Sequence, residues 1–395
     1  MPHVAKFTIL IPFLGALTAL GPLSNDLYVP SLSLVANGLQ VGDGPVQLTM
    51  SSLLIGFALG ALIYGPLSDR YGRKPILCFG LAIYVAAGAL SALSTDLAFL
   101  IAARSLQGLG AASGMVLARA IILDRWVGEQ ASRAMSWVVM FTFFTPVIAP
   151  VVGGYVASLG HWPAVFWLQA GAGALCMVIT AVALERTHRA PSITVRQSVT
   201  AYGAILRDPQ ALGYMLCMGL AFIGVVAFVS NSSFVLVGHF GLLPRQYGYC
   251  FSFVMLGGSI GAYINSRYVA RLGISRMIGF GTMMLALGGS AALISPMLGG
   301  GLFSILLSVL VYVFGIGFVF ANIVARTISR FRESTGAASS ILGVNQFLVG
   351  AIVAAVLSTI REPSPMPMVS ALALGGLSSA VVWWLWLGRS APLTD

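Results

Sequence analysis

Apolar stretches of about 20 residues recur along the whole of this chain, and they restrict its fold more than any other feature. Each is long enough to cross a hydrocarbon core of about 30 Å as a helix. Because lipid offers unpaired backbone groups no partner, and because no short alternating segments are present, the sequence predicts an all-α, polytopic membrane protein. Its twelve transmembrane helices are expected at about 7–35, 46–67, 76–95, 97–122, 132–158, 162–185, 210–237, 246–268, 275–297, 299–325, 336–360 and 367–388.

The composition agrees with that class, since 58% of the residues are hydrophobic and only 8% are charged. The net charge of +10 is unevenly placed. If loops alternate from a cytoplasmic N-terminus, eighteen Lys and Arg residues fall inside, Arg245 and Arg361 fall outside, and Arg104 lies within a helix. That bias predicts both termini in the cytoplasm. It also argues against a nucleic-acid partner, because no soluble domain is left to carry a basic face.

The chain is predicted to consist of two related halves. Its longest polar stretch separates an N-terminal six-helix bundle (1–185) from a C-terminal one (210–395), with a cytoplasmic linker at 186–209. Arg70-Tyr71-Gly72 is echoed by Arg271-Leu272-Gly273, 201 residues later. Ala118-Arg119-Ala120-Ile121 is echoed by Ala325-Arg326-Thr327-Ile328, 207 residues later. Two echoes at corresponding helix ends predict a pseudo-symmetric repeat around a central site.

Asp26 is the acid that the pattern places inside the membrane, near the outer end of the first apolar run, whereas the other ten acids fall in loops, at helix ends or at the terminus. A charge at that depth is unfavourable by about 2.5 kcal/mol or more, so it indicates a functional carboxyl, here one that carries a proton. Arg104 lies at a similar depth in the fourth run and is the expected ion-pair partner. A purely structural pair joining helices 1 and 4 is the alternative.

Three motifs resemble those of the major facilitator superfamily: Gly65-Pro66-Leu67-Ser68-Asp69-Arg70-Tyr71-Gly72-Arg73-Lys74-Pro75, Arg104-Ser105-Leu106-Gln107-Gly108-Leu109-Gly110 and Ala149-Pro150-Val151-Val152-Gly153-Gly154. The segments around Asp26, from Arg119 to Asp124 and from His161 to Trp167 resemble its drug:proton antiporters of the bicyclomycin and chloramphenicol resistance branch. The resemblance implies a proton-coupled multidrug exporter of the bacterial inner membrane, and a monomer. Some relatives carry a second acid on helix 1, where this chain has Thr18.

The loop between helices 2 and 3 is expected to act mechanically. Gly72 permits the tight turn, and Asp69 can lie at a helix N-terminus, where the macrodipole favours an anion. The resemblance implies that Arg73 reaches Asp124 and that the network latches the outward-facing state. The alternative is a solvated loop that only sets topology. The predicted latch residues are Gly65, Asp69, Arg70, Gly72, Arg73 and Asp124.

Helix 5 and the substrate cavity complete the predicted site. Prolines and glycines in helix 5 (Pro146, Pro150, Gly153 and Gly154) predict a flexible seam that prevents proton leak. An apolar cavity with a few polar anchors is expected for the substrate. The alternative for these side chains is interhelical hydrogen bonding or lipid contact. The candidates are Asn25, Asp26, Tyr28, Arg104, Gln107, Phe141, Phe144, Asn231, Asn345 and Gln346.

The predicted function is drug:proton antiport by alternating access, with no covalent chemistry. No P-loop, metal-ligand spacing or nucleophile–base pair is recognisable, so neither an enzyme nor a cofactor or metal is expected. The expected partners are small amphiphilic drug-like molecules, protons and the lipid bilayer. One alternative is a dedicated exporter of an endogenous metabolite, such as a siderophore or a self-made antibiotic. A sensor or importer on the same scaffold is the other.

Overall fold

The computed structural model describes residues 2–126, 128–159, 161–184, 195–331, 335–360 and 364–388, and within those ranges the regular elements are helices. The N-terminal helices are α1 (Pro2–Asp26), α2 (Leu32–Gly38), α3 (Asp43–Tyr71), α4 (Arg73–Ala92), α5 (Leu97–Arg125), α6 (Gly128–Ser158) and α7 (Pro163–Ala183). The remaining helices are α8 (Val195–Arg207), α9 (Pro209–Ser233), α10 (Pro244–Leu272), α11 (Ile274–Met297), α12 (Leu302–Arg330), α13 (Thr335–Ser358) and α14 (Met366–Val382). Short π-helical segments, Phe234–His239 and Trp383–Leu387, extend α9 and α14.

Ten helices of the described chain are long and apolar enough to span a membrane: α3, α4, α5, α7 and α9 to α14. Each corresponds to one of the predicted apolar runs. The runs at 7–35 and 132–158 lie on α1 and α6, and both helices include side chains outside the described residues. Twelve membrane crossings therefore remain a prediction.

The first apolar run is not one continuous helix, in contrast to the expectation. α1 ends at Asp26, and a 3₁₀ turn (Val29–Ser31) then leads into α2. Pro30 explains the break, because it has no N–H to donate to the carbonyl of Asp26 four residues earlier. The acid predicted to lie inside a helix is thus the last residue of one.

Two compact units divide the chain, Met1–Val195 and Arg196–Asp395. In the first unit α5 is central and packs against α1, α3 and α4, while α6 packs on α1 and α7 on α4. In the second unit α12 packs against α9, α10 and α11, while α13 packs on α9 and α14 on α11. The same set of helix neighbours therefore occurs in each unit.

Glycine contacts show the repeat at residue level. Gly56 and Gly60 of α3 approach the backbone carbonyls of Ser105 and Leu109 in α5 so closely that a Cβ would collide with them. Gly257 and Gly261 of α10, 201 residues later, approach the carbonyls of Leu310 and Phe314 in α12 in the same way. Small residues allow such close helix approach in membranes.

The two echoes seen in the sequence differ in how they relate to this packing. The α3–α10 correspondence has the 201-residue spacing of the first echo. The carbonyls contacted in α5 and α12 are 205 residues apart, whereas the second echo has a spacing of 207. The match at Ala118–Ile121 is therefore two residues out of register with the packed part of these helices.

Candidate functional site

Asp26 is buried, with 6% of its surface exposed, at the C-terminal end of α1. Its Oδ1 accepts a hydrogen bond from Asn25 Nδ2 at 3.0 Å. That donor is neutral, so it gives the charged carboxylate only partial compensation for its burial.

Arg104 is fully buried on α5 and is held by neutral acceptors. Its Nη2 donates to the backbone carbonyl of Ser24 at 3.0 Å, and its Nη1 donates to Gln107 Oε1 at 2.7 Å. The Ser24 carbonyl is available because the N–H of Tyr28, its usual helical partner, donates to the carbonyl of Asn25 instead. Arg104 thus binds the carbonyl end of α1, where the helix carries partial negative charge.

The direct ion pair expected between Asp26 and Arg104 is not present among the described residues. The two side chains do approach the same end of α1. However, Ser24 and Asp26 are two positions apart, so they point to different sides of a helix with 3.6 residues per turn. The guanidinium of Arg104 therefore donates to the main-chain oxygen of Ser24, which faces α5, and not to the carboxylate of Asp26.

Aromatic rings enclose the guanidinium of Arg104. Its Cζ lies 4.7 Å from the ring centroid of Tyr28 and 5.6 Å from that of Phe166. The Tyr28 hydroxyl is 3.0 Å from Thr49 Oγ1, which ties this ring to α3. Such cation–π contacts contribute about 2 kcal/mol when water is excluded. They help to hold a charge that forms no ion pair with the acids whose side chains are described.

Gln169 of α7 belongs to this cluster, although the sequence did not single it out. It is fully buried, its Oε1 accepts from Gln107 Nε2 at 2.8 Å, and its Nε2 donates to the Ser24 carbonyl at 3.2 Å. A side-chain amide in an otherwise largely apolar helix was the available signal. The structure thus joins α1, α5 and α7 through Ser24, Arg104, Gln107 and Gln169.

Phe144 is more than half exposed and lies on a cleft of about 310 Å³ between α1, α6 and α7. The side chain of Phe141 lies outside the described residues. Asp26 does not line the cleft, although residues on either side of it do. The lining is formed by Leu23, Leu27, Phe144, Thr145, Ile148, Ala149, Val152, Leu168 and Ala172.

The candidate residues of the second unit are held mainly by the backbone. Asn231 Nδ2 donates to the carbonyl of Ala227 one turn earlier in α9. Asn345 Nδ2 donates to the carbonyl of Met215 at 3.0 Å and so joins α13 to α9. Gln346 is half-buried on α13.

Three of the predicted latch residues, Gly72, Arg73 and Asp124, come together where α3 turns into α4. Arg73 Nε lies 2.9 Å from Asp124 Oδ2 at the end of α5, and Arg73 Nη1 donates to Ser68 Oγ at 2.6 Å. Gly72, with φ of 95°, makes the turn in a conformation that other residues rarely adopt. Arg70 lies over the ring of Tyr71, with its Cζ 5.3 Å from the ring centroid.

The other two predicted latch residues add less. Gly65 lies one turn before Ser68, and a Cβ there would meet open space, so no close contact requires glycine. The side chain of Asp69 lies outside the described residues.

A second ion pair joins helix ends in the second unit. Arg330 at the end of α12 donates to Asp208 Oδ2 at 2.7 Å and to Gln210 Oε1 at 2.8 Å. Asp208 also caps α9 by accepting from the N–H of Ala211. Partial burial raises the pKa of Asp208, but the hydrogen bonds from Arg330 and Ala211 outweigh it and hold that pKa below its ordinary value.

The proline and glycine motif of helix 5 lies on α6. Pro146 and Pro150 are within the helix, and Gly153 and Gly154 are buried. A Cβ on Gly153 would collide with the carbonyl of Leu27, just beyond the end of α1. α6 therefore packs closely against the segment that follows Asp26.

Comparison with known proteins places this arrangement in context. The chain is 29% identical over 389 residues to the bicyclomycin resistance protein homolog of Haemophilus influenzae, which covers 97% of each chain. It is 25% identical to multidrug resistance protein D of Escherichia coli, over 95% of this chain and 94% of that one.

The fold is also similar to that of a solved transporter structure. The structure of the xylose transporter XylE from E. coli covers 97% of this chain and 98% of its own, with a TM-score of 0.79 and 14% identity. The sequence model of the Major Facilitator Superfamily matches residues 14–355. With its membrane-spanning helices and that match, the chain is a multi-pass membrane protein that belongs to the major facilitator superfamily.

Proposed function

We propose that this protein exports small amphiphilic, drug-like compounds across the bacterial inner membrane in exchange for protons. Two relatives named for bicyclomycin and multidrug resistance support the drug substrate. In this proposal twelve helices form two six-helix bundles that alternate access, and both termini are cytoplasmic. The observation that carries the proton coupling is the burial of Asp26, which forms no ion pair with any cation of the described residues.

Asp26 is suited to take up and release a proton. Among the acids whose side chains the structure describes, it is the one that is buried. Burial favours its neutral form, and the amide of Asn25 offsets this only in part. A carboxyl with such opposing influences changes protonation when its surroundings change slightly. Arg104 contributes by holding the end of α1 in place.

Exchange requires that drug and proton favour opposite members of one conformational equilibrium. In the proposed cycle Asp26 binds a proton from outside, and drug binding from the cytoplasm favours its release inward. The Arg73–Asp124 pair would hold the outward-facing state. The close packing of Gly153 against Leu27 supports α6 as the seam that prevents proton leak beside Asp26.

The substrate is proposed to be amphiphilic because the structure offers both an apolar cleft and a few polar groups that could bind it. The cleft beside Phe144 is lined mainly by apolar side chains. Polar groups are few, and Asn25 Oδ1 is buried with no hydrogen-bond partner in the described part of the chain. We assign substrate contact to the aromatic and polar residues predicted from the sequence.

Drug-induced proton release from purified protein in detergent tests the proposal. A panel of bicyclomycin, amphenicols and lipophilic cations is added to the native protein, to Asp26→Asn and to Asp96→Asn. Asp96 is the matched control, since it is an exposed acid that caps α5 and asparagine also caps helices. We expect release from the native protein and the control for at least one compound, and none from Asp26→Asn.

Other outcomes would each remove part of the proposal. Release that persists in Asp26→Asn would move the proton to another residue. No release with any compound, although the protein transports an endogenous metabolite, would favour the dedicated exporter.

A further inference from the structure

The linker helix α8 (Val195–Arg207) has sides of different chemistry. Apolar residues recur at positions 195, 199, 202 and 206, and this spacing of three or four places them along one side of the helix. The arginines at positions 196 and 207 are eleven residues apart, so they fall together on a neighbouring side. The sequence of α8 is therefore both amphipathic and cationic.

The charge of the whole linker has a single sign. Between Glu185 and Asp208 the chain has no acid, and it has four arginines: Arg186, Arg189, Arg196 and Arg207. Of these, Arg207 has its side chain described, and it is exposed at the end of α8. A segment with this charge is complementary to an anionic surface.

α8 ends at the level where α9 enters the membrane. A single residue, Asp208, separates the end of α8 from Pro209, the first residue of the apolar helix α9. Asp208 is extended, with φ of −83° and ψ of 116°, as is usual for the residue before a proline. The chain changes direction at this corner, so α8 does not continue along α9 and lies beside the membrane surface.

The corner is fixed to the second unit. Arg330 of α12 donates to Asp208 Oδ2 at 2.7 Å and to Gln210 Oε1 at 2.8 Å. In the last turn of α8, Ile205 is fully buried, whereas its neighbour Leu206 is 48% exposed. One side of α8 is thus packed on the protein, and Leu206 of the apolar side is left uncovered by the described chain.

Leu206 continues the exposed apolar surface of α9. Leu212 and Leu216, in the first two turns of α9, are exposed as well. Because α9 is long and apolar enough to span the membrane, these two side chains meet lipid, and Leu206 lies just before the point where that helix begins. A helix with an apolar side at this level and arginines next to it is suited to lie in the plane of the interface.

We propose that α8 is an interfacial helix that binds anionic phospholipids of the leaflet predicted to be cytoplasmic. Its apolar side, which includes Leu206, enters the boundary between headgroups and acyl chains, and the arginines at positions 196 and 207 bind lipid phosphates. Because Arg330 holds Asp208, the helix stays with the second unit when it binds. The inference does not depend on which substrate is transported.

Thiol modification in nanodiscs tests which side of α8 meets the lipid. Leu206→Cys and Ala204→Cys are each placed in a background without the four native cysteines and treated with an uncharged, water-soluble maleimide. Ala204 is exposed, and because it is two residues from Leu206 it lies on nearly the opposite side of the helix. Nanodiscs of phosphatidylcholine are compared with nanodiscs that contain an equal amount of anionic phosphatidylglycerol.

Anionic lipid should protect Leu206→Cys and leave Ala204→Cys accessible. Each arginine near an anionic surface strengthens binding about fivefold, so the mixed nanodiscs should slow modification of Leu206→Cys by up to about 25-fold. Modification of Ala204→Cys should change by less than about twofold, because that side of α8 carries neither the apolar residues nor the arginines.

Arg207→Gln tests the role of charge, with Arg267→Gln as the matched control. Both arginines are exposed, but Arg267 lies on α10 beside Tyr263. Combined with Leu206→Cys, Arg207→Gln should remove about fivefold of the slowing, and Arg267→Gln should remove none. Hydrogen–deuterium exchange of α8 in the native protein provides a second measurement if the cysteine variants do not fold, and exchange should be slower in the mixed nanodiscs.

Three results would each overturn the inference. Equal modification of Leu206→Cys in the two kinds of nanodisc, or equal exchange of native α8, would show that anionic lipid does not bind this helix. Protection of Ala204→Cys instead of Leu206→Cys would place the wrong side of α8 on the membrane. Equal effects of Arg207→Gln and Arg267→Gln would assign the lipid dependence to the net charge of the protein and not to α8.

Discussion

At the scale of single residues, a buried guanidinium is stabilised by neutral groups, and no acid of the described part of the chain pairs with it. Arg104 is surrounded by a main-chain carbonyl, an amide oxygen and two aromatic faces. Each of these groups matches a property of arginine, either its planar array of donors or its flat, weakly hydrated surface. Lysine shares the charge but not the geometry.

Arg104→Lys should therefore destabilise the protein and reduce transport. An ammonium is a point donor that cannot reach both oxygens in the same plane or stack between Tyr28 and Phe166. Loss of one hydrogen bond from a charged group lowers the free energy of unfolding by about 1.5–3 kcal/mol. Thermal unfolding in detergent measures this, with Arg267→Lys as the control, because Arg267 is exposed beside Tyr263. Equal melting temperatures for both variants would contradict this account of Arg104.

At the scale of helices, close backbone contact joins α3 to α5 in the first unit and α10 to α12 in the second. Gly56 and Gly60 let α3 rest on the carbonyls of α5, and Gly257 and Gly261 let α10 rest on those of α12. In lipid the gain from such contact is van der Waals packing rather than exclusion of water. The α3–α5 contact also fixes α5, the helix that carries Arg104.

Gly56→Ala should force α3 away from α5. Its Cβ would strike the carbonyl of Ser105, which is backbone and cannot rotate aside. Overpacking of this kind lowers stability by about 1–3 kcal/mol. Gly171→Ala on α7 is the matched control, since nothing lies within 4 Å of its Cβ. Thermal unfolding of the two variants compares them, and a Gly56→Ala protein as stable as the control would show that α3 moves at no cost.

At the scale of the whole molecule, the placement of charge predicts how the chain lies in the membrane. Eighteen cationic side chains fall on one predicted side and two on the other. α10 offers a direct test because its two ends belong to opposite sides in that scheme. Leu243, which precedes it, and Leu272, its last residue, are both exposed.

A membrane-impermeant thiol reagent should distinguish these ends in intact cells. In a background without the four native cysteines, Leu243→Cys should be labelled from outside, whereas Leu272→Cys should be labelled only after permeabilisation. A variant with cysteine at neither position provides the baseline. Labelling of Leu272→Cys alone in intact cells would reverse the predicted orientation.

The sequence predicted the apolar helices and their approximate ends, which depend on length and composition. It did not predict which side chains face one another, because that depends on the side of each helix on which they lie. Apart from the first run, helix ends agree closely, since apolar runs and turn-forming glycines such as Gly72 and Gly273 are local signals. The direct Asp26–Arg104 pair was inferred from depth alone, and depth does not give the side of a helix. Gln169 was missed because its partners are 62 and 145 residues away in the chain.

The group that accepts hydrogen bonds from both Arg104 and Gln169 is the main-chain oxygen of Ser24. Its contribution to stability or transport therefore cannot be measured by side-chain substitution. Every amino acid at position 24 supplies the same carbonyl, so no substitution there removes the acceptor itself. A mutational scan at this position would instead report on the Ser24 side chain, which is fully buried and lies 2.7 Å from the Tyr84 hydroxyl. Replacing the Ser24–Asn25 amide with an ester would test that target only indirectly, because it weakens the carbonyl rather than removing it.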